Sequence, residues 1–116
     1  MAGLLCAAVT VASCGWSGSP ESPTASSDLL ASLSRAGLPV RNALDTTSHE
    51  CRTVGCAQAV VTDTVRITSF PTTGQAKSFA TSRGLYQAGK FVVAFAPPLT
   101  EAERVPYRTA IGRFVH

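Results

Sequence analysis

Three places in the sequence bring together residue types capable of chemistry. Cys51 and Cys56, with His49 just ahead of them, offer two thiols and an imidazole, the ligand types of a zinc or redox site. Asp45, Ser48 and His49 supply the acid, hydroxyl and imidazole of a hydrolytic relay within one short stretch. Gly74-Gln75-Ala76-Lys77-Ser78 carries the lysine and hydroxyl that end a phosphate-binding loop. Each falls short of its chemistry. A redox pair is spaced C-x-x-C at the opening of a helix, whereas Cys51-Arg52-Thr53-Val54-Gly55-Cys56 is wider and contains a glycine suited to a closed turn. An acid, a serine and a histidine inside the polar run Asp45–His49 are the ordinary composition of a loop. The phosphate cradle needs a second glycine directly before its lysine, and Ala76 stands there. No catalytic residue, metal ligand or cofactor is therefore assigned. A small secreted or envelope enzyme working through the His49 loop remains the alternative reading.

The apolar run from Gly3 to Val11 has the length of a secretory signal core and is far short of the roughly 20 residues that span a bilayer. It closes on Val11-Ala12-Ser13-Cys14. An aliphatic residue, two small residues and a cysteine resemble the lipobox of bacterial lipoproteins, in which a dedicated peptidase cuts before the cysteine and its thiol carries diacylglycerol. The resemblance implies that residues 1–13 are a lipoprotein signal peptide and that Cys14 becomes the first mature residue, the point of lipid attachment. It also implies a palmitate-type anchor on the extracytoplasmic face of the cell membrane. Met1-Ala2-Gly3 brings no Lys or Arg, so the expectation is that a basic segment lies upstream of this numbering. Residues 14–27 then form a Gly/Ser/Pro tether, with Gly15, Gly18, Pro20 and Pro23 among repeated serines. Such a tether reaches on the order of 20 Å, enough to lift a domain clear of lipid headgroups. If Cys6 leaves with the signal and Cys14 takes lipid, the resemblance leaves Cys51 and Cys56 as a disulfide pair, the form an exported domain favours.

Removing the signal leaves about 100 residues, which suits one small domain, residues 28–116, and not two. Ten Lys and Arg stand against seven Asp and Glu, a net charge of +3. The basic residues are scattered from Arg35 to Arg113 with no run of neighbours, so nucleic acid is not among the expected partners.

The elements follow from periodicity and punctuation. Ser27 offers a cap and Asp28 an acidic first turn to a helix in which Leu29, Leu30, Leu33 and Ala36 recur at helical spacing, ended by Gly37 and Pro39. Val40, Asn42 and Leu44 alternate as a short strand, and Asp45–Ser48 reads as loop before the stapled turn. Residues 57–64 fit a short helix and an edge strand equally. Val65 to Phe70 is a strand, with Val65, Ile67 and Ser69 facing one way and Arg66, Thr68 and Phe70 the other. Thr72 and Gln75 predict a capping box for a helix ended by Gly84. Phe91 to Ala96 is apolar on both faces and predicts a central strand that wants cover on each side. Thr100 and Glu103 cap a last helix with Tyr107, Ala110, Ile111 and Phe114 on its core face, and Pro106 predicts a kink or a start near Val105.

The sum is an α+β domain: a small, mostly antiparallel sheet with about three helices packed on it, in the order α-β-(stapled turn)-β-α-β-α. With its anchor, the chain resembles the small lipoproteins of actinobacteria and of their phages and prophages. That resemblance implies a non-catalytic binding module in the cell envelope, and, for the phage-encoded members, exclusion of superinfecting phage. Its partners would be membrane lipid through Cys14 and an unidentified envelope protein. Tyr86, Tyr107 and Arg108 are the candidate interface residues, because Tyr and Arg are enriched where binding energy concentrates.

Overall fold

The computed structural model describes residues 23–115. The signal-like segment, Cys14 and most of the tether lie outside the described residues. In chain order the elements are α1 (Ser26–Arg35), β1 (Leu44–Asp45), α2 (Thr47–Val54), β2 (Gln58–Val61), β3 (Val65–Ser69), α3 (Thr73–Arg83), β4 (Tyr86–Ala88), β5 (Phe91–Phe95) and α4 (Glu101–Phe114). The strands form one sheet in the order β1-β2-β3-β5-β4, and each neighbouring pair is antiparallel. The fold is a small α+β domain, as the pattern of residues predicts. Because β3 and β4 are both antiparallel to β5, which lies between them, they run parallel to one another, and α3 is the crossover of a split β-α-β unit.

The pleat sorts the side chains into two cores. Val65 and Ile67 on β3 and Phe91 and Val93 on β5 face α1 and α4, where Leu29, Leu33, Tyr107 and Ile111 complete the larger core. Val92 on the opposite face joins Phe70, Ala76 and Ala80 of the α3 side. Ile67, Leu29, Leu33, Val93 and Ile111 are wholly buried. At about 25 cal/mol per Å2 of apolar surface, each large side chain of this layer contributes roughly 2 kcal/mol against the entropy of ordering it.

The helix ends match their chemistry. Gly37 follows α1 at φ 86°, and the N–H groups of Gly37 and Leu38 donate to the carbonyls of Ser34 and Leu33, a Schellman ending that favours glycine. At α4, Thr100 accepts from the Glu103 N–H while the Glu103 carboxylate accepts from the Thr100 N–H. The box at α3 is half made: Thr72 accepts from the Gln75 N–H, but the Gln75 amide oxygen takes the Thr72 hydroxyl rather than the backbone.

Several expectations need correcting. α1 begins at Ser26. The Asp28 carboxylate accepts from the Thr24 hydroxyl and the Ala25 N–H, Ala25 and not Ser27 is the cap, and wholly buried Ser26 donates to the Gln58 carbonyl at 3.0 Å. Of the Val40–Leu44 stretch only Leu44 pairs as strand, together with Asp45 beyond it, and Asn42 sits at φ 59° with its amide on Asp63. Asp45–Ser48 is not loop. Asp45 Oδ1 accepts the Thr47 N–H at 2.8 Å and starts α2, an eight-residue helix that buries none of its residues and so leaves no apolar stripe to read. Residues 58–61 resolve as strand, and β4 is an addition. Pro106 sits inside an unbroken α4, where the carbonyl it leaves without a donor belongs to exposed Ala102 and is open to water.

Candidate functional site

The sheet's second face is only partly roofed. α3 covers it through Ala76, Ala80 and Phe79, and α2 stands over β2 at the other side. Between these two helices runs a cleft of about 320 Å3, lined by Glu50 and Val54 of α2, Thr68 of β3, Phe79 and Arg83 of α3, and Val92 of β5, with Arg66, Leu85 and Ala94 completing it. It leaves the cleft-facing side of β5 unevenly covered. Val92 on that face is buried but Ala94 is only half-buried, so the cover that this apolar run calls for stops short. A broader trough of about 800 Å3, lined by Phe70 and by Gln75, Ser78 and Ser82 of α3, adjoins the cleft through Val54 and Phe79.

Each wall is fixed locally. Thr46 and Thr47 pin the start of α2 to Ala59 of β2: the Thr46 N–H donates to the Ala59 carbonyl at 2.9 Å, and the Thr47 hydroxyl accepts the Ala59 N–H at 3.0 Å. The end of α2 turns on Gly55, at φ 84°, which brings Cys56 back to form a disulfide with Cys51. The pair inferred from the sequence is thus joined, and it ties down the C-terminal turn of a helix rather than a free loop. On the opposite wall Phe79 packs on Phe70, ring centroids 5.2 Å apart, and the Arg83 guanidinium lies 4.4 Å from the centre of the Phe79 ring.

The cleft's charges are unequal. Glu50 forms an ion pair with Arg66 and accepts the Thr46 hydroxyl at 2.8 Å, so its carboxylate is already engaged. Arg83 has no carboxylate partner among the described residues. The cleft therefore carries two guanidinium groups against one carboxylate, one positive charge in excess, held over an apolar floor. Arrangements of this kind, apolar walls with a few convergent polar groups, are how small-molecule and peptide sites are built, and the volume sits at their lower bound.

The residues singled out from sequence lie elsewhere. Asp45, Ser48 and His49 do not form a relay: Thr47, through its hydroxyl and then its N–H, holds the Asp45 carboxyl below its ordinary range, and Ser48 and His49 are exposed on α2. Cys51 and Cys56 are bonded to each other, and among the described residues no three His, Cys, Asp or Glu side chains gather as metal ligands. Lys77 is exposed on α3. Tyr86, Tyr107 and Arg108 come together on the sheet's first face, away from the cleft. The Tyr86 hydroxyl donates to the Arg108 carbonyl at 3.4 Å, and Arg108 pairs with Glu101 and lies 5.7 Å from the Phe95 ring centre. Tyr107 is 4% exposed, its ring in the core and its hydroxyl donated to the Pro39 carbonyl at 2.5 Å, so the structure places it inside the body rather than on a surface. The signal for the cleft was present in the alternation that points Arg66 and Thr68 away from Val65 and Ile67, and in the i, i+4 spacing of Phe79 and Arg83.

Among the described residues no helix is long and apolar enough to cross a membrane. No family model, curated protein or solved structure matches the chain.

Proposed function

We propose that this protein is a non-catalytic binding module, held on the outer face of a cell membrane by lipid on Cys14, and that the α2–α3 cleft is its binding site. The observation that carries the binding reading is the cleft itself: an apolar floor, an arginine without a carboxylate partner and walls fixed by a disulfide and a sheet contact. Val11-Ala12-Ser13-Cys14, followed by a Gly/Ser/Pro tether, supports the anchor. In the likeness of phage-encoded lipoproteins, the process served would be exclusion of a second phage.

The experiment places a photo-crosslinking residue at Val54 in the cleft, and separately at exposed Ser34 on α1, and irradiates intact cells. An adduct of one reproducible mass from position 54 and none from position 34 supports the cleft as the site. Identical patterns from both positions, or none from either, refute it. Challenge of expressing cells with a panel of phages tests the process: undiminished infection by every phage removes superinfection exclusion.

A further inference from the structure

Two groups in the cleft point to the chemistry of what enters it. Thr68 is 5% exposed, on the β3 face that turns toward α3, yet its hydroxyl bonds to no described residue. Every sealed side-chain polar atom among the described residues has a partner, so this unbonded hydroxyl opens onto the cleft. Arg83 is the second group. Its guanidinium is steadied on the face of Phe79, at 4.4 Å from the ring centre, and leaves its N–H donors without a carboxylate among the described residues. A planar guanidinium with donors to spare matches a carboxylate in two parallel hydrogen bonds. Around these two groups the lining is apolar: Val54, Phe79, Leu85 and Val92. Glu50 is taken up by Arg66 and Thr46, which leaves a single positive charge in excess.

We infer that the cleft binds a small amphiphilic monocarboxylate of the medium-chain fatty acid class, its head on Arg83 and the Thr68 hydroxyl and its tail over Val92, Leu85 and Val54. The inference rests on the reading of the cleft as a binding site and adds its ligand class. A volume of about 320 Å3 sets the size: a short acyl chain fits, whereas a whole two-chain phospholipid does not. One excess charge sets the head group as a monoanion. A neutral amide of the same length keeps the tail contacts and loses the charge-assisted bonds, which makes it the matched control.

The test is a titration of the isotope-labelled full chain carrying Cys14→Ser, with octanoate and with octanamide, read at the backbone amides of Thr68, Phe79, Arg83 and Val92. Saturable shifts at these positions, with octanamide at least about tenfold weaker, are expected. Arg83→Gln brings octanoate down to the octanamide level while octanamide itself is unchanged, and Thr68→Val weakens octanoate. Arg83 is exposed, so its replacement leaves the remaining spectrum intact. No saturable shift at the cleft, equal affinity for the amide, or an Arg83→Gln protein that binds octanoate as before overturns the inference. Each of these results leaves the crosslinking outcome at Val54 standing, so the ligand class and the site fail separately.

Discussion

Removing the disulfide as Cys51→Ala with Cys56→Ala loosens one wall of the cleft, and the size of the effect follows from the chain. The bridge joins residues five apart and closes a loop of about six residues, for which the chain-entropy relation predicts about 2 kcal/mol of lost stability. The structure says where that loss falls. α2 buries none of its residues, and its start is held independently through Thr46 and Thr47 to Ala59. What the bridge holds is the last turn, where the Gly55 N–H donates to the Cys51 carbonyl at 2.8 Å and where Val54 reaches the cleft. The double variant should therefore unfold in urea with about 2 kcal/mol less stability. The Gly55 amide should exchange with solvent about thirtyfold faster, since each 1.4 kcal/mol is a factor of ten. Amides of β3 and β5 should change only as much as global stability does. The reasoning is refuted if stability falls by less than about 0.5 kcal/mol and exchange at Gly55 is unaltered.

Other expectations follow from the same contacts. Ile67→Ala, at a wholly buried position in the larger core, should cost roughly 3 kcal/mol in urea unfolding. Tyr107→Phe removes the hydroxyl that ties α4 to the Pro39 carbonyl and should cost about 1 kcal/mol, with faster exchange confined to the loop after α1. Thr100→Ala deletes the acceptor for the Glu103 N–H and should cost about 1 kcal/mol. The Glu103 carboxyl is held below its ordinary value by hydrogen bonds from the Thr100 N–H and then the Thr100 hydroxyl. A lowered folded value means that its support for α4 is complete above the ordinary value near 4.5 and is lost as pH falls through the folded one. Amide shifts in the first turn of α4 should report that loss on acidification, and in Thr100→Ala the titration should move back up.

Much of the fold was legible because its strongest signals are local. Leu29, Leu30 and Leu33 recur at helical spacing and end on Gly37, and the run Val65–Ser69, rich in β-branched residues, forms β3, in which only Arg66 is exposed. Elements that depend on tertiary contacts were not legible. α2 has no buried apolar stripe and is held by tertiary contacts: Asp45 accepts the Thr47 N–H, Thr46 and Thr47 fasten its start to Ala59 and the disulfide closes its end. β4 is three residues without alternation, ordered by its pairing with β5. The cleft was hidden for the same reason. Glu50, Arg66, Thr68 and Arg83 come from three elements, and the register that brings them together is set by side chains on the opposite face of the sheet. Tyr107 drew two readings, core from its spacing with Ala110 and Ile111 and interface from residue type, and burial follows the spacing.

The account of this protein as a membrane-anchored binding module is tested most directly by the intact mass of the protein recovered from the membrane fraction of an actinobacterial host, expressed with its native upstream region beside Cys14→Ala. The account predicts a wild-type chain that begins at Cys14, carries diacylglycerol mass on it and partitions with the membrane, and a Cys14→Ala chain that does none of these. Wild-type and variant chains of equal partitioning, with no lipid mass on Cys14, would contradict it.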